Sequence, residues 1–326
     1  MTNIQSIYSA LHTHGLSKNH LSRIMPDWWS AEVEATPGGA QRAKIYLVKA
    51  LSLQIRAFSE SPPRVEFDLP GEKRFKLSSR TSETDVELAV AIARSASRIA
   101  INALDRDFVQ PSPSASAIRD YILGTGARWV GLTELLDVCW AYGIPVLHLA
   151  SPLLAKKKMD GIAMSINGRP SIVLSNIRKS GFLLFHLAHE IGHIALGHLG
   201  ENGAIVDDDF EEQAKNSKSA DEVAADRFAL ELLTGNPDFT LALPKKMKAG
   251  PLARLAESSA VQMKIAPTHL VMSCAHGDPG YYALYVGAAN LLGAEVSDQS
   301  VVTGKVFEQL PELDPDAEHL LRNLIA

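Results

Sequence analysis

Apolar residues recur along most of this chain at three- and four-residue spacing, and short strand-like runs are confined to its middle. That pattern predicts a mainly helical protein with one small sheet. Ile4, Ile7, Tyr8 and Leu11 mark a first amphipathic helix. Gly15-Leu16-Ser17 interrupts it, and Ser17 is placed to cap a short helix over 18–25. Pro37-Gly38-Gly39 reads as a turn, and 40–58 as a third helix with Ile45, Val48, Leu51 and Ile55 on its apolar stripe. Ser61-Pro62-Pro63 reads as a linker, and 64–77 as a small hairpin around Pro70-Gly71. The segment 83–104 is a long helix with Val86, Ala89, Ile92, Ala93, Ala96, Ile99 and Ala100 on one face.

Pro111-Ser112-Pro113-Ser114 breaks the pattern and is the best domain boundary. Helices are expected at 115–123 and 131–142, and strands at 146–149, 161–166 and 171–174. Asn167-Gly168 between the last two is a strong two-residue hairpin signal. Beyond Pro237 the helical period returns over 252–260 and 266–274, with Pro267 at the first helical position. The expected fold is α+β: mostly helical, with a small antiparallel sheet packed on a central helix and a helical N-terminal module before it. The expected divisions are 1–60, a helical module with a helix-turn-helix-like look; 61–110, a hairpin and long helix; 111–240, the domain that carries the chemistry; and 241–326, a helical region.

At 46% apolar and 21% charged, the 326-residue chain has enough apolar content for a sizeable core, which excludes a disordered class. Cys139 and Cys274 form no disulfide framework and no C-x-x-C pair, which suits a reducing compartment. No signal-peptide pattern opens the sequence, and the apolar stretch 281–294 is too short to span a bilayer. The expectation is a cytoplasmic protein with no membrane partner. Residues 1–80 carry 11 Lys and Arg against 7 Asp and Glu, net +4, a modest basic bias that admits DNA contact by the N-terminal module. The acidic stretch 201–222, with Asp207-Asp208-Asp209 and Glu211-Glu212, reads as a solvated loop, or as a mobile lid near the cleft that discourages acidic substrates.

The chemistry is concentrated in 182–199, an apolar helical run with four histidines, His186, His189, His193 and His198. Within it His189-Glu190-Ile191-Gly192-His193 is an H-E-x-x-H motif. Histidines at i and i+4 share a helix face and can reach one metal, with the glutamate beside them to take a proton from water. A catalytic zinc centre generally has a third protein ligand. Leu199, six residues past His193, excludes a third histidine at that spacing. A second helix beginning near Ser219 supplies an alternative: Glu222 as third ligand and Asp226, at i+4, as acceptor for a ligand histidine N–H. Glu222 stands three residues after Ser219, so it also fits a capping box, which needs no metal.

Phe185-His186-Leu187-Ala188-His189-Glu190-Ile191-Gly192-His193, followed by Glu222 through Leu233, resembles the ImmA/IrrE family of bacterial metallopeptidases, and the strand pair before it resembles that family too. The resemblance spans roughly 130–235 and implies one Zn2+ per chain, with His189, His193 and Glu222 as ligands and Glu190 as general base. The family often has a small or hydroxyl residue where His186 stands and a second acid where Ala224 stands. His186, three residues before His189, therefore opens the way to a different metal geometry. Candidates for stabilising the transition state are His186, His198 and Tyr142. A strand at the sheet edge could bind an extended peptide, with Arg169 and Lys156-Lys157-Lys158 nearby to select sequence. The resemblance implies a protein substrate, often a transcriptional repressor or regulator, in stress response or mobile-element control. The rival reading is a DNA-binding regulator or antitoxin-like protein whose zinc is structural or sensory.

Overall fold

The computed structural model describes residues 4–69, 71–75, 83–149, 160–175, 182–207, 219–241, 247–277, 279–293 and 296–325. Helices dominate, and the fold is α+β. Ile4, Ile7, Tyr8 and Leu11 are all buried on one side of α1 (Ile4–His12). Ser17 caps α2 (Lys18–Ile24) by accepting from His20 N, and the His20 ring returns the bond to the Ser17 backbone.

The third expected helix differs from its prediction. After a single turn, α3 (Ala31–Glu34), α4 runs Pro37–Ala50, and a separate turn, α5, covers Ile55–Phe58. Pro37-Gly38-Gly39 is therefore the first turn of a helix and not a break before one. Pro37 occupies the position where its missing N–H costs nothing, and Thr36 accepts from Gly39 N. Gly39 is required there, since a Cβ would lie 1.7 Å from the Val33 carbonyl oxygen. The buried face of α4 is carried by Ala43, Lys44, Leu47 and Ala50; of the expected stripe Leu51 is buried, Val48 is half-buried, and Ile45 and Ile55 are exposed.

Among the described residues the expected 64–77 hairpin is not formed. Phe67 bridges Leu53, and β1 (Glu72–Phe75) pairs in parallel with a strand more than a hundred residues on. Pro70, Lys76 and Leu77 lie outside the described residues. Next comes α6 (Glu83–Ala103), buried along most of its length by Val86, Ala89, Val90, Ile92, Ala93, Ala96 and Ala100. It is followed by α7 (Ala115–Gly124), capped by Ser114, and α8 (Leu132–Ala141).

The sheet has five strands in the order β1-β5-β3-β4-β2, adding β2 (Val146–His148), β3 (Gly161–Ile166), β4 (Arg169–Leu174) and β5 (Gly203–Asp207). It is mixed and not antiparallel as expected. β3 pairs antiparallel with β4 and β5, while β1–β5 and β2–β4 are parallel. β5 falls in a stretch with no alternation to betray it. Asn167 and Gly168 have φ of +53° and +75°, as the hairpin requires at both turn positions. Both hairpin strands lie inside the sheet, and among the described strands its edges are β1 and β2. Arg169 donates to the Arg106 carbonyl oxygen at 2.7 Å, and the three lysines 156–158 and residues 208–212 of the acidic run lie outside the described residues.

Two helices frame the chemistry, α9 (Phe182–Ala195) and α10 (Ala220–Thr234), which pack closely on each other while α9 also lies on β3 and β4. Beyond them, α11 (Ala249–Met263), α12 (Pro267–Gly277) and α13 (Tyr282–Leu292) enclose a small apolar cluster of their own. The larger cluster runs from α1 through the sheet to α14 (Asp298–Gln309) and α15 (Pro315–Ile325). Trp129 packs against both clusters. Arg119, buried on α7, joins them: its guanidinium donates to the carbonyls of Leu232 (3.1 Å), Leu233 (2.8 Å) and Lys264 (2.7 Å). Those are carbonyls at the ends of α10 and α11, which have no partner within their own helices.

α15 packs against α2 and α6 and buries Leu320, Leu321, Leu324 and Ile325. Each such side chain contributes roughly 1.5–3 kcal/mol when withdrawn from water. His319 adds contacts from both ring nitrogens, at 2.8 Å to the Met25 carbonyl oxygen and 3.0 Å to Asp27. Trp28 is partly exposed and donates to Asp316, while Trp29 packs against the core. No helix among the described residues is long and apolar enough to cross a membrane.

Candidate metal centre

Buried apolar residues lie on several sides of α9: Leu183, Leu184, Leu187, Ala188, Ile191 and Ile194. They fix the helix inside the domain, and so His189, Glu190 and His193 are buried with it, Glu190 at 1% exposure and His193 at 0%. The helix ends on Gly197, whose φ of +73° is open to glycine at little cost. Gly197 N donates to Ile194 O and His198 N to His193 O, the paired bonds of a Schellman closure. Gln110 Nε2 donates to Ile194 O at 2.7 Å and to Ala195 O at 3.4 Å, covering the last carbonyls from outside.

Opposite, Ser219 caps α10 by accepting from Glu222 N. The Glu222 carboxylate itself reaches the histidines of α9, with Oε2 3.4 Å from His189 Nε2 and Oε1 3.5 Å from His193 Nε2. The two Nε2 atoms are 3.0 Å apart. Ligand atoms held tetrahedrally at zinc's usual bond lengths must lie roughly 3.3–3.4 Å from one another. The two Nε2 atoms at 3.0 Å, and each of them at 3.4 or 3.5 Å from a different oxygen of the Glu222 carboxylate, lie near that value. His189, His193 and Glu222 are also the one group of buried metal-capable side chains among the described residues. Two neutral imidazole nitrogens and a carboxylate suit a divalent cation of the zinc type, so the residues fit the group the motif implies.

Asp226 lies 3.0 Å from His189 Nδ1, where a carboxylate fixes the ring's tautomer and orientation. Arg227, its neighbour, pairs instead with Asp238. The approach of the two helices depends on Gly192: a Cβ there would come within 3.2 Å of Phe228 Cδ1 and 3.3 Å of Ala225 Cα and O. Glu190 lies against the first residue of β3, where a Cβ on Gly161 would stand 2.5 Å from its Oε1. Neither glycine is singled out by the motif as a functional residue. A glycine inside a buried helix costs about 1 kcal/mol, and that cost is the signal available for Gly192.

The three candidates for transition-state stabilisation take different places. His186 is outside the three-residue group, its Nε2 turned toward Asp160 Oδ2 at 3.9 Å just before β3. His198 sits behind His193, Nδ1 to Nδ1 at 2.9 Å. Tyr142 closes α8, and its carbonyl accepts from Val109 N. His269, on α12, is buried and its ring stacks on Phe185, with centroids 6.1 Å apart. The His276 side chain lies outside the described residues. Burial pushes the thiol of Cys139 well above its ordinary range and that of Cys274 to about 11, so both are inert.

A mixed sheet on a buried H-E-x-x-H helix, with a glutamate supplied by the next helix, defines a metallopeptidase-type centre. Residues 141–266 match the model of the Peptidase_M78 family, described as the IrrE N-terminal-like domain, which supports a peptidase of the metal-dependent type for this segment. The match runs from the end of α8 to the start of α12 and takes in both framing helices. No curated protein and no solved structure gives a significant match to the chain.

Proposed function

We propose that the chain is a zinc-dependent endopeptidase that cuts a specific protein partner, a transcriptional regulator of stress response or mobile elements. The observation that carries this reading is the convergence of His189 Nε2, His193 Nε2 and the Glu222 carboxylate on one buried point beside Glu190. A cation held there supplies Lewis acidity toward water and toward a peptide carbonyl. Asp226 keeps the His189 proton on Nδ1, so that Nε2 presents its lone pair. Glu190 accepts a proton from the attacking water and hands it to the leaving amine. Its burial against Gly161 keeps bulk water from solvating the carboxylate and holds it in one place.

Elemental analysis of wild type and Glu222→Ala is the first test. About one zinc per wild-type chain, with marked loss in the variant, supports a three-ligand site; a folded wild type that takes up no metal on zinc addition sinks it. Glu190→Gln is expected to keep its metal and lose proteolysis. Cleavage at the wild-type rate by that variant removes Glu190 from the mechanism.

A further inference from the structure

The two histidines of the centre are supported in different ways. Behind His189 stands a carboxylate, Asp226. Behind His193 stands a second imidazole: the Nδ1 atoms of His193 and His198 are 2.9 Å apart, with the ring centroids 5.1 Å apart at an interplanar angle of 65°. The backbone puts it there, since the Gly197 closure turns the chain so that His198 N donates to His193 O at 3.0 Å. On its far side His198 Nε2 faces Asp221 Oδ1 at 3.9 Å, and Asp221 is the residue before Glu222 in the first turn of α10.

One requirement fixes the protons. His193 Nε2 converges with His189 and Glu222, so it must turn a lone pair toward any cation held there. The single N–H of a neutral imidazole is then on Nδ1 and points at His198. Two N–H groups cannot share one hydrogen bond, so His198 Nδ1 accepts and its own N–H lies on Nε2, turned to the Asp221 carboxylate. We propose that His198, oriented by Asp221, is a positioning residue that sets the ring orientation and tautomer of His193. It thereby sets how tightly the centre holds its cation. The proposal rests on the metallopeptidase reading above. It also accounts for a histidine that the sequence offers equally well as a transition-state donor.

Cobalt(II) titration of the metal-free full chain tests it, followed by the visible absorption of the bound ion and by chelator competition. Supports of this kind are worth roughly 10–100-fold in metal affinity, and His198→Ala is expected to lose that much. An asparagine amide falls where histidine Nδ1 stood, and a glutamine amide where Nε2 stood. His198→Asn is therefore expected to recover most of the affinity and the wild-type absorption, and His198→Gln little of either. Asp221→Asn, acting across 3.9 Å, costs less than His198→Ala. Wild-type affinity in His198→Ala, or better recovery by Gln than by Asn, overturns the proposal. Should the alanine variant not fold by circular dichroism, the Asn and Gln comparison decides alone. A wild type that takes up neither cobalt nor zinc overturns the metal reading and this proposal with it; uptake that no His198 variant alters overturns only the role of His198.

Discussion

Gly161→Ala separates the position of Glu190 from everything else in the centre. The new methyl carbon would stand 2.5 Å from Glu190 Oε1, 3.3 Å from Cδ and 3.4 Å from Cγ, where ordinary contact begins at 3.4 Å. The carboxylate must therefore retreat by about 1 Å. A misplacement of that size costs roughly 10²-fold in rate, or about 2.7 kcal/mol in the barrier. Stability should barely change, because the clash is with the end of a flexible side chain. Replacing glycine in a strand also recovers roughly 0.5–1 kcal/mol of backbone entropy, which offsets part of the crowding. The three atoms nearest the methyl all belong to Glu190 and none to His189, His193 or Glu222, so metal content is expected to stay at the wild-type level. The assay compares turnover of a random peptide library by mass spectrometry with zinc per chain and the thermal midpoint. Turnover at the wild-type rate, or loss of metal together with activity, refutes this account of Gly161 and Glu190.

Gly192→Ala should push α9 and α10 apart by a few tenths of an ångström, since its methyl meets Phe228 and Ala225 at 3.2–3.3 Å. Metal sites tolerate about 0.2 Å, so chelator competition should show roughly tenfold weaker binding, and unchanged affinity would count against helix spacing as the determinant. Arg119→Met keeps the hydrocarbon but leaves the carbonyls of Leu232, Leu233 and Lys264 without their guanidinium donor. Urea unfolding should show a loss of about 3 kcal/mol, and a loss under 1 kcal/mol refutes the clamp. Cys139 and Cys274 should resist a thiol reagent at pH 8 in the folded protein and react once urea unfolds it; rapid labelling of the native protein contradicts their burial.

The side chains that converge were legible because helical periodicity is local: the i,i+4 spacing of His189 and His193 on one helix, and of Glu222 and Asp226 on the next, puts each pair on a shared face. The hairpin was legible for a similar reason, since Asn167-Gly168 encodes its own turn. What the sequence hid is long-range. β1 and β5 pair across more than a hundred residues, and nothing in either segment alone names its partner. His198 was visible as a histidine near the motif, yet its direction depends on the left-handed Gly197 and not on helical spacing. Gly161 and Gly192 act through an absent methyl group, which becomes meaningful only when the neighbouring element is in place. The start of α4 was missed because Pro-Gly-Gly reads as a turn until Thr36 is seen to cap it.

The docking of α15 on α2 and α6 has a consequence for how the protein is made. α2 leaves the ribosome before α15, which packs against it and is translated roughly 15–60 s later at ordinary rates of synthesis. During that interval α2, with Leu21 and Ile24 in the larger cluster, lacks the α15 that packs against it. The N-terminal helices therefore cannot reach their final packing as they emerge, and must wait for segment 315–325. A fragment of residues 1–110 would carry the same exposed face permanently. DNA binding by this region is accordingly a question for the full chain, in which the two distant segments have already met.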